Sequence, residues 1–254
     1  MVSVYTHFFF AHGELTVILE DVENHWMLPI LGDQDPAKVE FSPEELKVES
    51  PLANYIERKN TSLGTQASRF APWMDHFKRE GDASICRAAF MAYWLRKCVF
   101  GESPTYSVKS LYFRIVVKIA AGMCFPLAPL LLGQLYTQLD LLHVEELVGL
   151  SCHTVAIAFN SSVVHIFFWE HALNYVTKGR KPYEARNKFA TMAAEVATRL
   201  GDFQRDVPAM YRWVGCKFYD HNLISTLDNE SKVCWRLYGV TRSGFAYDLV
   251  ISGF

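Results

Sequence analysis

The 254-residue chain is half apolar and 14% aromatic, and its formal net charge is −2. So much apolar material can bury a large core, in one large domain or two small ones, and it excludes disorder for most of the length. The near-neutral balance is also unlike the strongly basic one of typical nucleic-acid binders.

His7-Phe8-Phe9-Phe10 and Glu14-Leu15-Thr16-Val17-Ile18-Leu19 are rich in aromatic and β-branched residues. The intervening Ala11-His12-Gly13 holds the glycine that a tight reversal favours, so the pattern predicts a hairpin. Glu20-Asp21 then offers an acidic cap, Val22, His25, Trp26 and Leu28 fall at helical spacing, and Pro29 stops the run. Residues 14–49 carry ten acids against Lys38 and Lys47, a net of −8 that leaves +6 on the remainder. An acidic first segment beside a mildly basic body suits an intramolecular contact or a protein partner. Gly32 to Ser50, with Pro36 and Pro43, reads as an acidic loop with one helical turn after Ser42-Pro43-Glu44-Glu45.

The pattern beyond is helical. Phe70 to Lys78 is a short amphipathic piece, and Asp82 caps a helix from Ala83 to Phe100 that Gly101 and Pro104 end. Its expected buried stripe is Ile85, Ala89, Phe90, Tyr93, Trp94 and Val99, with Arg87, Arg96 and Lys97 snorkelling around it. Further helices are predicted over Ser107–Gly122, Leu127–Leu141, Thr154–Val176 and Tyr183–Leu200, and a strand at Ala246–Ile251. The expected fold is mainly α: a single multi-helix domain over 1–254 with a small N-terminal β-hairpin and a short C-terminal strand. It divides into a hairpin–helix unit 5–30, an acidic loop 32–50 and a helical body 52–240.

Six cysteines stand singly with no C-x-x-C, which predicts reduced, mostly buried thiols in an intracellular protein. Met1 to Phe10 lacks the charged start and cleavage site of a secretory leader. Ile119 to Gly133 is too short for a spanning helix of roughly 20 residues and is broken by Pro126 and Pro129.

No catalytic, metal or cofactor site is expected. Metal-ligand spacings are absent: His165 and His171 do not stack on a helix, and Cys152-His153 point apart. Neither a G-x-S-x-G elbow nor a phosphate-cradling glycine loop is present, which leaves nucleotide and pyridoxal phosphate sites unsupported. The pairs Glu44-Glu45 and Glu145-Glu146 read as solvated surface. The best polar candidate for binding is Lys178, Arg180, Lys181, Arg186 and Lys188, opposed only by Glu184 and flanked by Tyr175 and Tyr183, in a loop leading into a helix. Asn160, Ser161, Ser162 and His165 interrupt an apolar helix, and a helix-to-helix hydrogen-bond network is the favoured reading of them.

Gly13-Glu14-Leu15-Thr16, Leu19-Glu20-Asp21-Val22 and Leu28-Pro29 resemble the opening of the plant mobile domain, also catalogued as aminotransferase-like. Ala88-Ala89-Phe90, Tyr93-Trp94-Leu95, Val99-Phe100, Leu127-Ala128-Pro129, Leu135-Tyr136, Trp169-Glu170 and Arg236-Leu237-Tyr238-Gly239 extend the resemblance in order from Tyr5 to Leu249. At His25-Trp26-Met27 the family more often has smaller residues and a glycine before Leu-Pro. Its usual Trp-Glu-Arg reads Trp169-Glu170-His171 here, so a partner contact carried by that arginine is expected to be changed. The resemblance implies a protein of transposon-related origin, similar to Maintenance of Meristems and the phosphatase 7 long-form-like proteins. Such proteins are nuclear, act in meristem maintenance and transposon or gene silencing, and associate with a phosphatase-7-like protein. The expected function is a non-enzymatic protein-interaction domain. The alternative is a nucleic-acid-binding module, on DNA or RNA, using the basic loop 178–188.

Overall fold

The computed structural model describes residues 6–63, 69–101, 107–147, 159–175, 209–213 and 222–235. The fold is mainly α, with one antiparallel hairpin of β1 (Phe8–Phe10) and β2 (Gly13–Leu15). Phe8 pairs with Leu15 and Phe10 with Gly13, which leaves Ala11-His12 as a two-residue turn. After the hairpin come α1 (Leu19–Trp26), α2 (Pro43–Leu63), α3 (Phe70–Phe77) and α4 (Ala83–Trp94), the last continuing into a π-helical turn (Leu95–Phe100). Then follow α5 (Phe113–Ala120), α6 (Leu127–Leu147), α7 (Ser161–His171), α8 (Ala209–Arg212) and α9 (Asn222–Leu227). Among the described residues no helix is long and apolar enough to cross a membrane. The expected helix Tyr183–Leu200 and strand Ala246–Ile251 lie outside the described residues.

The chain forms two compact units that interleave along the sequence. Unit 1 takes Met1–Thr6, Val17–Glu23 and Met27–Ser161; unit 2 takes His7–Thr16, Asn24–Trp26 and Ser162–Phe254.

Trp73 organises the core of unit 1. It is fully buried, lies 5.5 Å from Tyr55 of α2, 4.5 Å from Phe77 and 5.7 Å from Phe113 of α5, and its indole N–H donates to the Ala89 carbonyl at 2.9 Å. One side chain thus ties four helices with aromatic contacts and leaves no buried donor unmet. The buried stripe of α4 is Ile85, Ala88, Ala89 and Ala92, continued by Leu95, Val99 and Phe100. Phe90 is instead 47% exposed and Tyr93 half-buried, a correction to the expected stripe. Small alanines let α5 approach closely, and this rotates the bulky aromatics outward. Arg96 is also corrected: it is fully buried rather than snorkelling.

The acidic stretch ends as a loop at Ser42, not Ser50, because α2 runs on through Pro51. A reciprocal cap starts this helix: the Glu45 N–H donates to Ser42 Oγ at 3.3 Å and the Ser42 N–H to Glu45 Oε2 at 2.8 Å. Pro51 removes one helical donor, while buried Leu52 and Tyr55 anchor the following turn in the core. Lys118 of α5 reaches the same Glu45 oxygen at 2.7 Å, with side chains 12% and 17% exposed, so Glu45 is not solvated surface. Burial opposes ionisation of Glu45, but the Lys118 ammonium and the Ser42 N–H and hydroxyl hold its carboxyl below the usual range. Replacing Lys118 by Met is expected to cost about 2 kcal/mol, between exposed and fully buried pairs, in urea unfolding at neutral pH.

α1 ends on Met27, directly before Leu28-Pro29, where a left-handed cap favours glycine. Met27 caps the helix in the left-handed region, φ 53° and ψ 32°, with its N–H donating to the Glu23 carbonyl at 2.8 Å. A side chain there is strained, and Met27 is 68% exposed, so it gains little packing in return. Met27→Gly is expected to stabilise the fold by about 1 kcal/mol, read as a raised midpoint of thermal unfolding.

Candidate functional site

Three of the motifs noted in the sequence meet in space. The Ala128 N–H at the start of α6 donates to the Pro29 carbonyl at 3.0 Å, so Leu28-Pro29 is pinned to Leu127-Ala128-Pro129. Two more bonds close the staple, from Asp33 N–H to the Cys124 carbonyl at 2.9 Å and from Cys124 N–H to the Asp33 carboxylate at 2.7 Å. Gly32 is required between them, because a Cβ there would lie 2.6 Å from Pro126 Cδ and 2.8 Å from Phe125 Cα. Tyr136, from the Leu135-Tyr136 motif, donates its hydroxyl to the Val17 carbonyl. This rigid loop carries Leu31 81% exposed.

A second motif group lines an aromatic cluster in which Phe90 is exposed and Phe70 and Tyr93 are half-buried. Phe70 at the start of α3 packs edge-on to Tyr93 at 4.7 Å, and Phe90 lies 6.4 Å from the same ring. Lys97 donates to the Tyr93 hydroxyl at 2.7 Å, with its ammonium 5.1 Å from the Tyr93 ring centre and 5.9 Å from that of Phe70. The Tyr93 hydroxyl bond outweighs the cost of burial and raises the Lys97 pKa, which keeps the ammonium charged. Among the described residues no carboxylate lies within ion-pair distance of Lys97. An exposed apolar surface with one fixed cation at its edge is suited to docking another polypeptide.

Behind this cluster the chain ends its long α4–π run at Gly101. The Asn160 side-chain amide donates to the Cys98 carbonyl at 2.8 Å and the Val99 carbonyl at 3.2 Å. These are last-turn carbonyls with no helical partner of their own. Asn160 itself precedes α7 and fastens the end of the π-helical turn, so this residue of the expected helix-to-helix network bonds from a loop and not from within a helix.

In unit 2 the Trp169-Glu170-His171 motif is interior. Glu170 is 7% exposed and accepts from the Trp213 indole N–H, while the Trp169 and Trp213 rings lie 4.7 Å apart. His171 is 6% exposed, its Nδ1 2.7 Å from the Cys234 carbonyl, and the Cys234 N–H donates back to the His171 carbonyl at 2.8 Å. Phe8 of β1 packs edge-on to Phe168 at 4.7 Å, and the Ala11 N–H donates to the Asp228 carboxylate at 3.2 Å. His171 thus lies in the interior of the unit.

The plant mobile domain matches residues 5–248. The chain belongs to that family. Comparison with curated proteins and with solved structures gave no match. In this plant mobile domain the family's short motifs work chiefly as fasteners: Leu-Pro and Leu-Ala-Pro join a loop to α6, and Trp-Glu closes the centre of unit 2.

The basic cluster Lys178, Arg180, Lys181, Arg186 and Lys188 lies outside the described residues, as do Cys152-His153 and Arg236-Leu237-Tyr238-Gly239. Among the described residues no three His, Cys, Asp or Glu side chains meet as a metal site. The four described cysteines are free, but Cys124 is exposed and Cys86, Cys98 and Cys234 only half-buried, a correction to the expectation of mostly buried thiols. An open concavity at the end of α3, between Asp75 and His76 of the helix and Arg79 and Glu80 just after it, mixes both signs of charge and favours neither. Sequence reasoning missed the Phe70–Phe90–Tyr93–Lys97 cluster. Its signal was the spacing of Phe90, Tyr93 and Lys97, three then four residues apart on one helical face, but that face was assigned to the core.

Proposed function

We propose that this plant mobile domain is a non-enzymatic protein-docking domain of transposon-related origin that works in the nucleus. The observation that supports this reading is the cluster of Phe70, Phe90, Tyr93 and Lys97 on packed helices, with Phe90 and Lys97 exposed and the other two rings half-buried. Large aromatic side chains held rigid at a surface lose little entropy on binding and give the anchors that protein partners use. Family membership supports the finer part, a role in meristem maintenance or in transposon and gene silencing through a phosphatase-7-like partner.

The test is affinity capture. The immobilised domain is exposed to plant nuclear extract with and without nuclease, and retained proteins are identified by mass spectrometry. Retention of a phosphatase-like protein after nuclease treatment, and its loss with Phe90→Ala, is the expected result. Loss of all retained material on nuclease treatment would instead favour the nucleic-acid reading, with DNA or RNA on the 178–188 loop and a steep salt dependence.

A further inference from the structure

We infer that the aromatic cluster takes a partner segment in which a carboxylate, Asp, Glu or a chain terminus, stands next to an apolar anchor. This rests on the docking reading and specifies the chemistry of the partner. Lys97 Nζ gives one of its N–H groups to the Tyr93 oxygen at 2.7 Å. Since the Tyr93 oxygen is then the acceptor, its own O–H is left to donate elsewhere, and the ammonium keeps two further N–H groups. Two donors 2.7 Å apart are therefore presented side by side, one of them charged. A carboxylate, with two acceptor oxygens, can accept from both at once, and unlike an amide carbonyl it also brings the negative charge that pairs with the ammonium.

The surroundings favour an apolar neighbour for that carboxylate. Phe90 is 47% exposed and lies 6.4 Å from the Tyr93 ring, and Phe70 closes the other side of the ring at 4.7 Å. An anchor seated on Phe90 would exclude water from the ion pair and strengthen it. Among the described residues no carboxylate pairs with Lys97, whose side chain is exposed. A carboxylate carries one negative charge, which the Lys97 ammonium matches, whereas a phosphoryl group carries nearly two, and this favours carboxylate over phosphoryl chemistry.

The test uses short fluorescent peptides, each with one Phe or Leu anchor and either Glu, Gln or phosphoserine beside it, titrated against the whole chain by anisotropy. The Glu peptides are expected to bind about five-fold tighter than the Gln peptides, the scale of an exposed ion pair, and the difference is expected to shrink as salt is raised. Lys97→Met, which keeps an apolar stem over the rings, is expected to abolish the discrimination without changing the melting temperature. Equal binding of Glu and Gln peptides, or discrimination that survives Lys97→Met, would overturn the inference while leaving apolar docking in place. A preference for phosphoserine over Glu would overturn it too, and so would the absence of binding by any peptide. Loss of the captured nuclear partner's retention would then still have to be sought with Phe90→Ala, which tests the docking reading separately.

Discussion

Replacing Gly101 by Ala is expected to lower the unfolding free energy by about 3 kcal/mol, the sum of a backbone term and an overlap term. Gly101 ends the α4–π run with φ 62° and ψ 18°, and its N–H donates to the Arg96 carbonyl at 3.0 Å. A side chain in that left-handed conformation costs about 1–2 kcal/mol wherever it occurs. The added Cβ would also lie 2.9 Å from both the backbone N and the Cα of Asn160. Those are main-chain atoms held by the amide bonds to Cys98 and Val99, so they do not yield as the tip of a flexible side chain would. Gly122 supplies the comparison, with φ 99° but open space around its missing Cβ. Gly122→Ala is expected to lose only the backbone part, about 1–2 kcal/mol. Urea unfolding of the two variants therefore separates conformation from close approach, and equal losses would refute the packing argument at Gly101.

The sequence showed fold class and the starts of α3, α4 and α6 because those signals are local, whereas the helix expected from Ser107 begins only at Phe113 and the one expected from Thr154 only at Ser161. Asp82 accepts from the Ser84 N–H at 2.7 Å, as its place before Ala83 implied, and the hairpin turns between Phe10 and Gly13 as expected. Signals that depend on a neighbour were misread. The acidic stretch with Pro36 and Pro43 reads as loop as far as Ser50, yet the cap at Ser42 and Glu45 starts a helix there, and the burial of Leu52 and Tyr55 offsets the one hydrogen bond lost at Pro51. The face of α4 was rotated because alanine and phenylalanine are both apolar, and only the close approach of α5 decides that the alanines go inside. The two interleaved units were not legible at all, since periodicity carries no information on which distant segment a hairpin joins.

The same division holds for the candidate site. A charge run is visible in a sequence, so Lys178 to Lys188 drew attention there. The Phe70–Tyr93 contact joins residues of two helices, and its Lys97 is a single cation among many. Only the geometry, with one donor spent on Tyr93 and the others facing out, distinguishes Lys97 from an ordinary surface lysine.

His171 makes the stability of the chain depend on pH in a window where few other groups act. A carbonyl only accepts, so the 2.7 Å contact with Cys234 requires the proton on Nδ1 of the neutral ring. Nε2 is buried and has no hydrogen bond among the described residues, and the Phe167 ring lies 4.4 Å from the imidazole. A second proton would place a charge there with little to solvate it. Burial accordingly pushes the pKa from 6.5 down to about 4, against weaker opposing effects of the Cys234 bond and the Glu170 charge. Between those values the unfolded chain binds more protons than the folded one, so stability is complete above about pH 6.5 and is lost as pH falls toward 4. The full loss is about 3 kcal/mol, of which about 2 kcal/mol falls between pH 7 and pH 5. Glu45, which is also held ionised, acts at lower pH, below its ordinary value of 4.5. His171→Gln keeps a donor for Cys234 but does not titrate. Urea midpoints for the wild type are therefore expected to fall between pH 7 and pH 5 by more than those of His171→Gln. Parallel pH profiles for the two proteins would show that the ring is solvated and that the interior assigned to the Trp169-Glu170-His171 motif is open to water.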